Sequence, residues 1–104
     1  MSRATLRAVW NGVVLAESSE TIRVEGNHYF PWDSVDWDHL VESRTHSLCP
    51  WKGLASYYSV VAGGQRNEDA AWWYPHPSPL ARRVKNRVAF WKGVDIVESE
   101  IDIR

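Results

Sequence analysis

Cysteine occurs once in this chain of 104 residues, at Cys49, and the four histidines, His28, His39, His46 and His76, are scattered. A lone cysteine excludes an internal disulfide. A structural zinc site of the usual kind needs several Cys or His at short spacing, so no metal is expected, and no cofactor motif is present. Unpaired thiol chemistry fits a reducing, cytoplasmic setting. No apolar run approaches the ~18 residues of a membrane span. The opening Met-Ser-Arg-Ala-Thr-Leu-Arg lacks the apolar stretch of a signal peptide. Charge of one sign is also missing: the net charge is −1, which gives no broad attraction to nucleic acid or a membrane surface.

Aromatic residues are abundant instead. Seven Trp and four Tyr sit in a chain of single-domain size, taken as 1–104, that buries roughly two-thirds of its unfolded surface. Each large ring covers about 150–250 Å², so a few of them dominate the interior. The bland explanation is an aromatic-rich β core.

The hydropathy pattern is mostly that of strands. Thr5–Trp10 alternates, Asn11-Gly12 gives a two-residue hairpin signal, and Val13–Glu17 returns. Thr21–Glu25 and His28–Phe30 form a second pair around Gly26-Asn27. Asp33–Glu42 predicts a short helix with Asp33 as N-cap and Trp37, Leu40 and Val41 as its apolar stripe. Leu54–Val61 and Ala70–Tyr74 are strands around a Gly63-Gly64 turn and a polar tip, Gln65–Asp69. On the second of these strands Trp72 and Tyr74 share one face and Trp73 takes the other, outward or toward a partner. Ser78-Pro79 opens a second short helix reaching Lys85, and Val88–Lys92 is a core strand. Residues 93–104 are a tail or an edge strand. The expected fold is mainly β, a small antiparallel sheet or barrel with two short helices. Residues 10–18 echo 91–99 at Trp, Gly, Val, Glu and Ser; one short match does not establish a duplication, and shared hairpin turn chemistry is the preferred reading.

The densest feature is Cys49-Pro50-Trp51-Lys52-Gly53, followed by Ala55-Ser56-Tyr57-Tyr58 and then Ala70-Ala71-Trp72-Trp73-Tyr74-Pro75 and Pro77. With Gly12-Val13, Ala16-Glu17-Ser18, Tyr29-Phe30-Pro31, Asp33, Val35, Thr45 and Val88-Ala89-Phe90, these motifs resemble domain-of-unknown-function family 427 over about residues 7–92. The resemblance implies a small, mainly β domain similar to the β-tent architecture, without a metal cluster and without an established molecular function. A nucleotidyltransferase label is sometimes attached to that family. Asp36-Trp37-Asp38 has a metal-binding carboxylate spacing, but no Gly-Ser phosphate-binding element precedes it.

Lys52 is the leading candidate for chemistry. A lysine held against rings loses hydration, which lowers its pKa and suits anion binding, base catalysis or a Schiff base; the plain alternative is an amine snorkelling over an apolar face. Cys49 could serve as a nucleophile with His46 or Lys52 as its partner, or as a small buried hydrophobe. Trp51, Tyr57, Tyr58, Trp72 and Tyr74 offer flat faces for a planar ligand, and Thr45 offers a donor. Arg82, Arg83, Lys85 and Arg87 form a basic run that could hold a phosphate or simply cap a solvated helix end. Three functions follow. The first is binding of a small planar or anionic molecule by Lys52 and the rings. The second is an enzyme using Cys49 or Lys52. The third is a protein-interaction module, a second copy of the chain included, presenting Trp73 and Trp91.

Overall fold

Four two-residue turns set the chain's course. Asn11-Gly12, Glu25-Gly26, Gly63-Gly64 and Lys92-Gly93 each place both residues at positive φ, between 52° and 87°. Type I′ turns require this, and their twist matches that of the flanking strands. The computed structural model describes residues 4–99.

Strands β1 (Thr5–Trp10) and β2 (Val13–Ser18) form the first hairpin, and β3 (Ile22–Val24) and β4 (Asn27–Pro31) the second. Three long strands follow: β5 (Leu40–Cys49), β6 (Gly53–Ala62) and β7 (Gln65–Trp73); then come β8 (Arg87–Phe90) and β9 (Asp95–Ser99). They build a three-stranded sheet, ordered β2-β1-β9, and a six-stranded sheet, ordered β3-β4-β8-β7-β6-β5. Every pairing is antiparallel. Among the described residues neither sheet closes into a barrel.

The six-stranded sheet is apolar on both faces, and its pleat sorts the residues by period two. Phe30, Val60, Ala71, Val88 and Phe90 face inward, where they meet Ala8, Leu15 and Ala16 of the smaller sheet. Phe30 and Phe90 pack edge to face at 5.8 Å. Their chain neighbours Tyr29 and Ala89, with Ala55 and Tyr74, form a second cluster on the outer face. Ala81 and Val84, from a 3₁₀ segment over Pro79–Val84, cover that cluster. Asp69 sits at φ 55° within the bulge of the β6–β7 pair. Its backbone N–H donates to the buried Ser59 hydroxyl at 3.1 Å. The irregularity puts two extra residues on the β7 side, and both Ala70 and Ala71 join the inner core.

Four local expectations need correction. No α-helix spans 33–42. Short 3₁₀ turns cover Trp32–Ser34 and Trp37–His39, and β5 begins at Leu40. Asp36, not Asp33, is the cap, accepting from the Asp38 N–H at 3.2 Å. Leu40 is buried and Val41 exposed, which is strand alternation and not a helical stripe. The second helix is 3₁₀, kinked at Ala81, and its basic residues straddle its end and the start of β8. The polar tip 65–69 is strand, and β8 stops at Phe90.

The 93–104 tail is in part the edge strand β9, paired with β1; residues 100–104 lie outside those described. The echo between 10–18 and 91–99 shares its left-handed turn, but only the first copy is a hairpin. The second is a corner that carries the chain from the large sheet to the small one. Among the described residues no helix is long and apolar enough to cross a membrane.

Candidate functional site

The Cys-Pro-Trp-Lys-Gly run is the turn between β5 and β6, with Cys49 opposite Gly53 in register. Gly53 has φ 116°, and a side chain there would crowd the His76 carbonyl oxygen at 3.2 Å. The segment after β7 is laced onto this turn. The Ser78 N–H donates to the Lys52 carbonyl at 3.0 Å, and the Ser78 hydroxyl donates to the Trp51 carbonyl at 2.5 Å. The turn is therefore clamped, and the Lys52 side chain is directed beneath it, with 7% of it exposed.

The Lys52 ammonium lies 5.2 Å from the Trp51 ring centre and 5.6 Å from that of Tyr74, within cation–π range of both. It donates to Oε1 of Glu25, on the β3–β4 turn. The Trp51 indole Nε1–H donates to the other oxygen, Oε2, at 3.1 Å. One carboxylate is thus held by two donors from adjacent residues.

Beside the amine opens a cavity of about 260 Å³ lined by Asn27, Lys52, Tyr57, Trp72, Tyr74 and Trp91. Tyr57 and Trp72 are cross-strand partners, so the sheet itself aligns them. Trp72 packs edge to face on Tyr29 at 6.2 Å and on Trp91 at 5.7 Å, and its indole N–H donates to the Tyr29 hydroxyl at 3.3 Å. Trp91 is anchored by its own N–H on the Asp69 carbonyl at 2.6 Å.

Electrostatics follow from this geometry. Burial disfavours the Lys52 ammonium, but the Glu25 hydrogen bond, aided by Tyr29, Tyr74 and Cys49, outweighs it and lifts the pKa above that of a free lysine. Dehydration against rings predicts the reverse shift; the partner carboxylate overturns that expectation. Glu25 falls below the ordinary carboxylate range because Lys52, then Trp51, hydrogen-bond to it. Both shifts favour the charged pair. Burial pushes Tyr74 up to about 12 and raises Tyr29 as well.

Of the candidates named from sequence, Lys52, Tyr57, Trp72 and Tyr74 share this cavity. Trp51 is not among the residues that line it; more than a third exposed, it stacks near the Lys52 ammonium and binds Glu25. Tyr58 does not join them: it faces the other side of the sheet, 5.0 Å from Trp37 and 6.4 Å from Trp32. Thr45 is also elsewhere, donating to Asp69 at 2.8 Å. Cys49 packs half-buried against the outer cluster, and the His46 ring nitrogen pairs with the Ser56 hydroxyl at 3.2 Å. Trp73 is not a free outward ring. It is half-buried, 4.4 Å from Trp32. Among the described residues no cluster of three His, Cys, Asp or Glu is placed to hold a metal.

Glu25, Asn27 and Trp91 were not singled out for the pocket by sequence. Glu25 carried one readable signal. It occupies a left-handed turn position where Asn or Asp is the usual choice, so a glutamate there invites a reason beyond the turn.

No curated protein matches this chain. A family model described as "Domain of unknown function (DUF427)" matches residues 1–102, beyond the 7–92 covered by the motifs. The chain, whose Cys-Pro-Trp-Lys-Gly turn brings Lys52 to the cavity, belongs to that DUF427 family.

Proposed function

We propose that the protein binds a small planar molecule in the Lys52 cavity. The observation that carries this reading is the buried Lys52 amine set among Tyr57, Trp72, Tyr74 and Trp91 beside a cavity of about 260 Å³. That volume lies just under the range of about 300–1,000 Å³ typical of ligand sites, which suits a molecule of one or two fused rings. Flat indole and phenol faces supply apolar contact, and Lys52 and Asn27 supply polar anchors that fix orientation.

The enzyme reading loses support. A lysine whose pKa is raised stays protonated at neutral pH and is a poor nucleophile or base. Cys49 has no histidine bonded to it among the described contacts, since His46 pairs with Ser56. The interaction reading loses one of its two rings with Trp73 packed on Trp32. The single cysteine and near-neutral charge support a cytoplasmic setting without nucleic acid as partner.

Titration with indole-3-carboxamide, followed by the indole N–H resonances, tests the reading. Trp72 and Trp91 are expected to shift saturably, while Trp10, packed with the inner core, stays still. No change at Trp72 and Trp91 up to the solubility of the probe sinks it.

A further inference from the structure

We infer that the ligand class is an aromatic carboxylate, and that Glu25 occupies the carboxylate position in its absence as an internal competitor. This deepens the pocket reading and rests on it. The evidence is the two-donor grip on Glu25. Lys52 Nζ holds one oxygen and Trp51 Nε1 the other, so the donors present the forked geometry that matches a planar carboxylate. They come from consecutive residues of a turn whose backbone is held by Ser78, not by Glu25.

The two sides of this contact differ in freedom. Lys52 is 5% exposed and cannot turn to water without leaving the core. The Glu25 side chain is 49% exposed. It sits at the tip of a two-residue turn, beside β3, a strand of three residues at the sheet's edge. The carboxylate can rotate into water at small cost, but the ammonium it leaves needs another anion. An incoming carboxylate supplies that anion, and the aromatic body attached to it would lie in the adjoining cavity against Tyr57, Trp72 and Trp91. A neutral planar molecule can enter the cavity but has no reason to displace Glu25. The chain thus carries a carboxylate of its own in the place a ligand's would take.

An internal competitor lowers apparent affinity by the fraction of time the site is free. The test is calorimetric titration of the full-length protein with indole-3-carboxylate and, in parallel, indole-3-carboxamide. Glu25→Asn removes the long carboxylate while supplying the residue preferred at a left-handed turn position. Glu25→Gln is the second variant, retaining side-chain length. Both variants are expected to bind the carboxylate about tenfold tighter than the natural chain or better, with carboxamide affinity unchanged. Adding Lys52→Met should abolish the gain. Carboxylate affinity unchanged or weakened in both variants, with carboxamide still bound, overturns the competitor and leaves the pocket reading standing. Binding of neither probe to any form overturns both.

Discussion

Tyr74 shows how one side chain ties the site to the stability of the fold. Its phenol is buried beside Lys52, and burial raises its pKa from 10.0 to about 12. Below pH 10 the group is protonated whether the chain is folded or not and contributes no pH dependence. Above pH 10 the unfolded chain gives up this proton first, so stability falls until the folded phenol also ionises near pH 12. A shift of that size is worth roughly 3 kcal/mol. Lys52 acts in the same direction. Its raised pKa gives stability that is complete below 10.5 and lost as pH climbs through the higher folded value. Glu25 governs the acid side: its depressed pKa gives stability present above 4.5 and lost as pH falls through the folded value. Urea denaturation of Tyr74→Phe should show a shallower alkaline decline than the natural chain and the same acid limb. Superimposable alkaline limbs would remove Tyr74 from this account.

At the scale of elements, turns were the most legible features and the polar strand the least. Asn11-Gly12 and Gly63-Gly64 announce themselves because few residues accept positive φ at both positions. The two turns also touch. The Asn11 side-chain amide donates to the Ala62 carbonyl at 3.0 Å, and a Cβ on Gly63 would collide with that amide, whereas one on Gly64 would meet open space. Gly64→Ala should therefore cost only its left-handed strain, about 1 kcal/mol. Gly63→Ala should cost roughly 1 kcal/mol more, because Asn11 must give up its bond. Equal losses on chemical denaturation would mean that the contact between the turns contributes nothing. Strand β5 was hidden for a different reason. It lies at the edge of the sheet, mostly exposed, so its Glu-Ser-Arg-Thr-His-Ser centre carries no apolar alternation. What holds that centre is distant in sequence: Ser43 and Thr45 donate to Asp69 at 2.5 and 2.8 Å, a link no local pattern encodes. The misread helix over 33–42 has the same origin. Trp37, Leu40 and Val41 satisfy helical spacing by coincidence, because tertiary pairing with β6 decides the conformation from Leu40 onward.

For the molecule as a whole, the sheet class was legible because alternation survives wherever one face is buried. The pocket was only half legible, since its second wall depends on register. Tyr57 and Tyr58 are indistinguishable by composition, and only the pairing of Tyr57 with Trp72 assigns one to the cavity and the other to the Trp32–Trp37 cluster. That same register makes the six-stranded sheet a shared wall between two hydrophobic clusters. The inner cluster contains Phe30 and the outer one Val84, both essentially inaccessible to solvent. Their supports are not separate: Tyr29 and Phe30 are consecutive on β4, and Val88, Ala89 and Phe90 are consecutive on β8, with alternate side chains serving opposite faces. Neither cluster can come apart without breaking the strands that carry the other. Unfolding should therefore be a single transition, with tryptophan fluorescence and far-ultraviolet dichroism reporting the same midpoint. Phe30→Ala should lower stability by about 3–5 kcal/mol and Val84→Ala by roughly 2 kcal/mol, each moving that one midpoint. If Val84→Ala instead splits the two probes, the outer cluster and the Lys52 cavity built on it form an independently melting layer, and the shared-wall account fails.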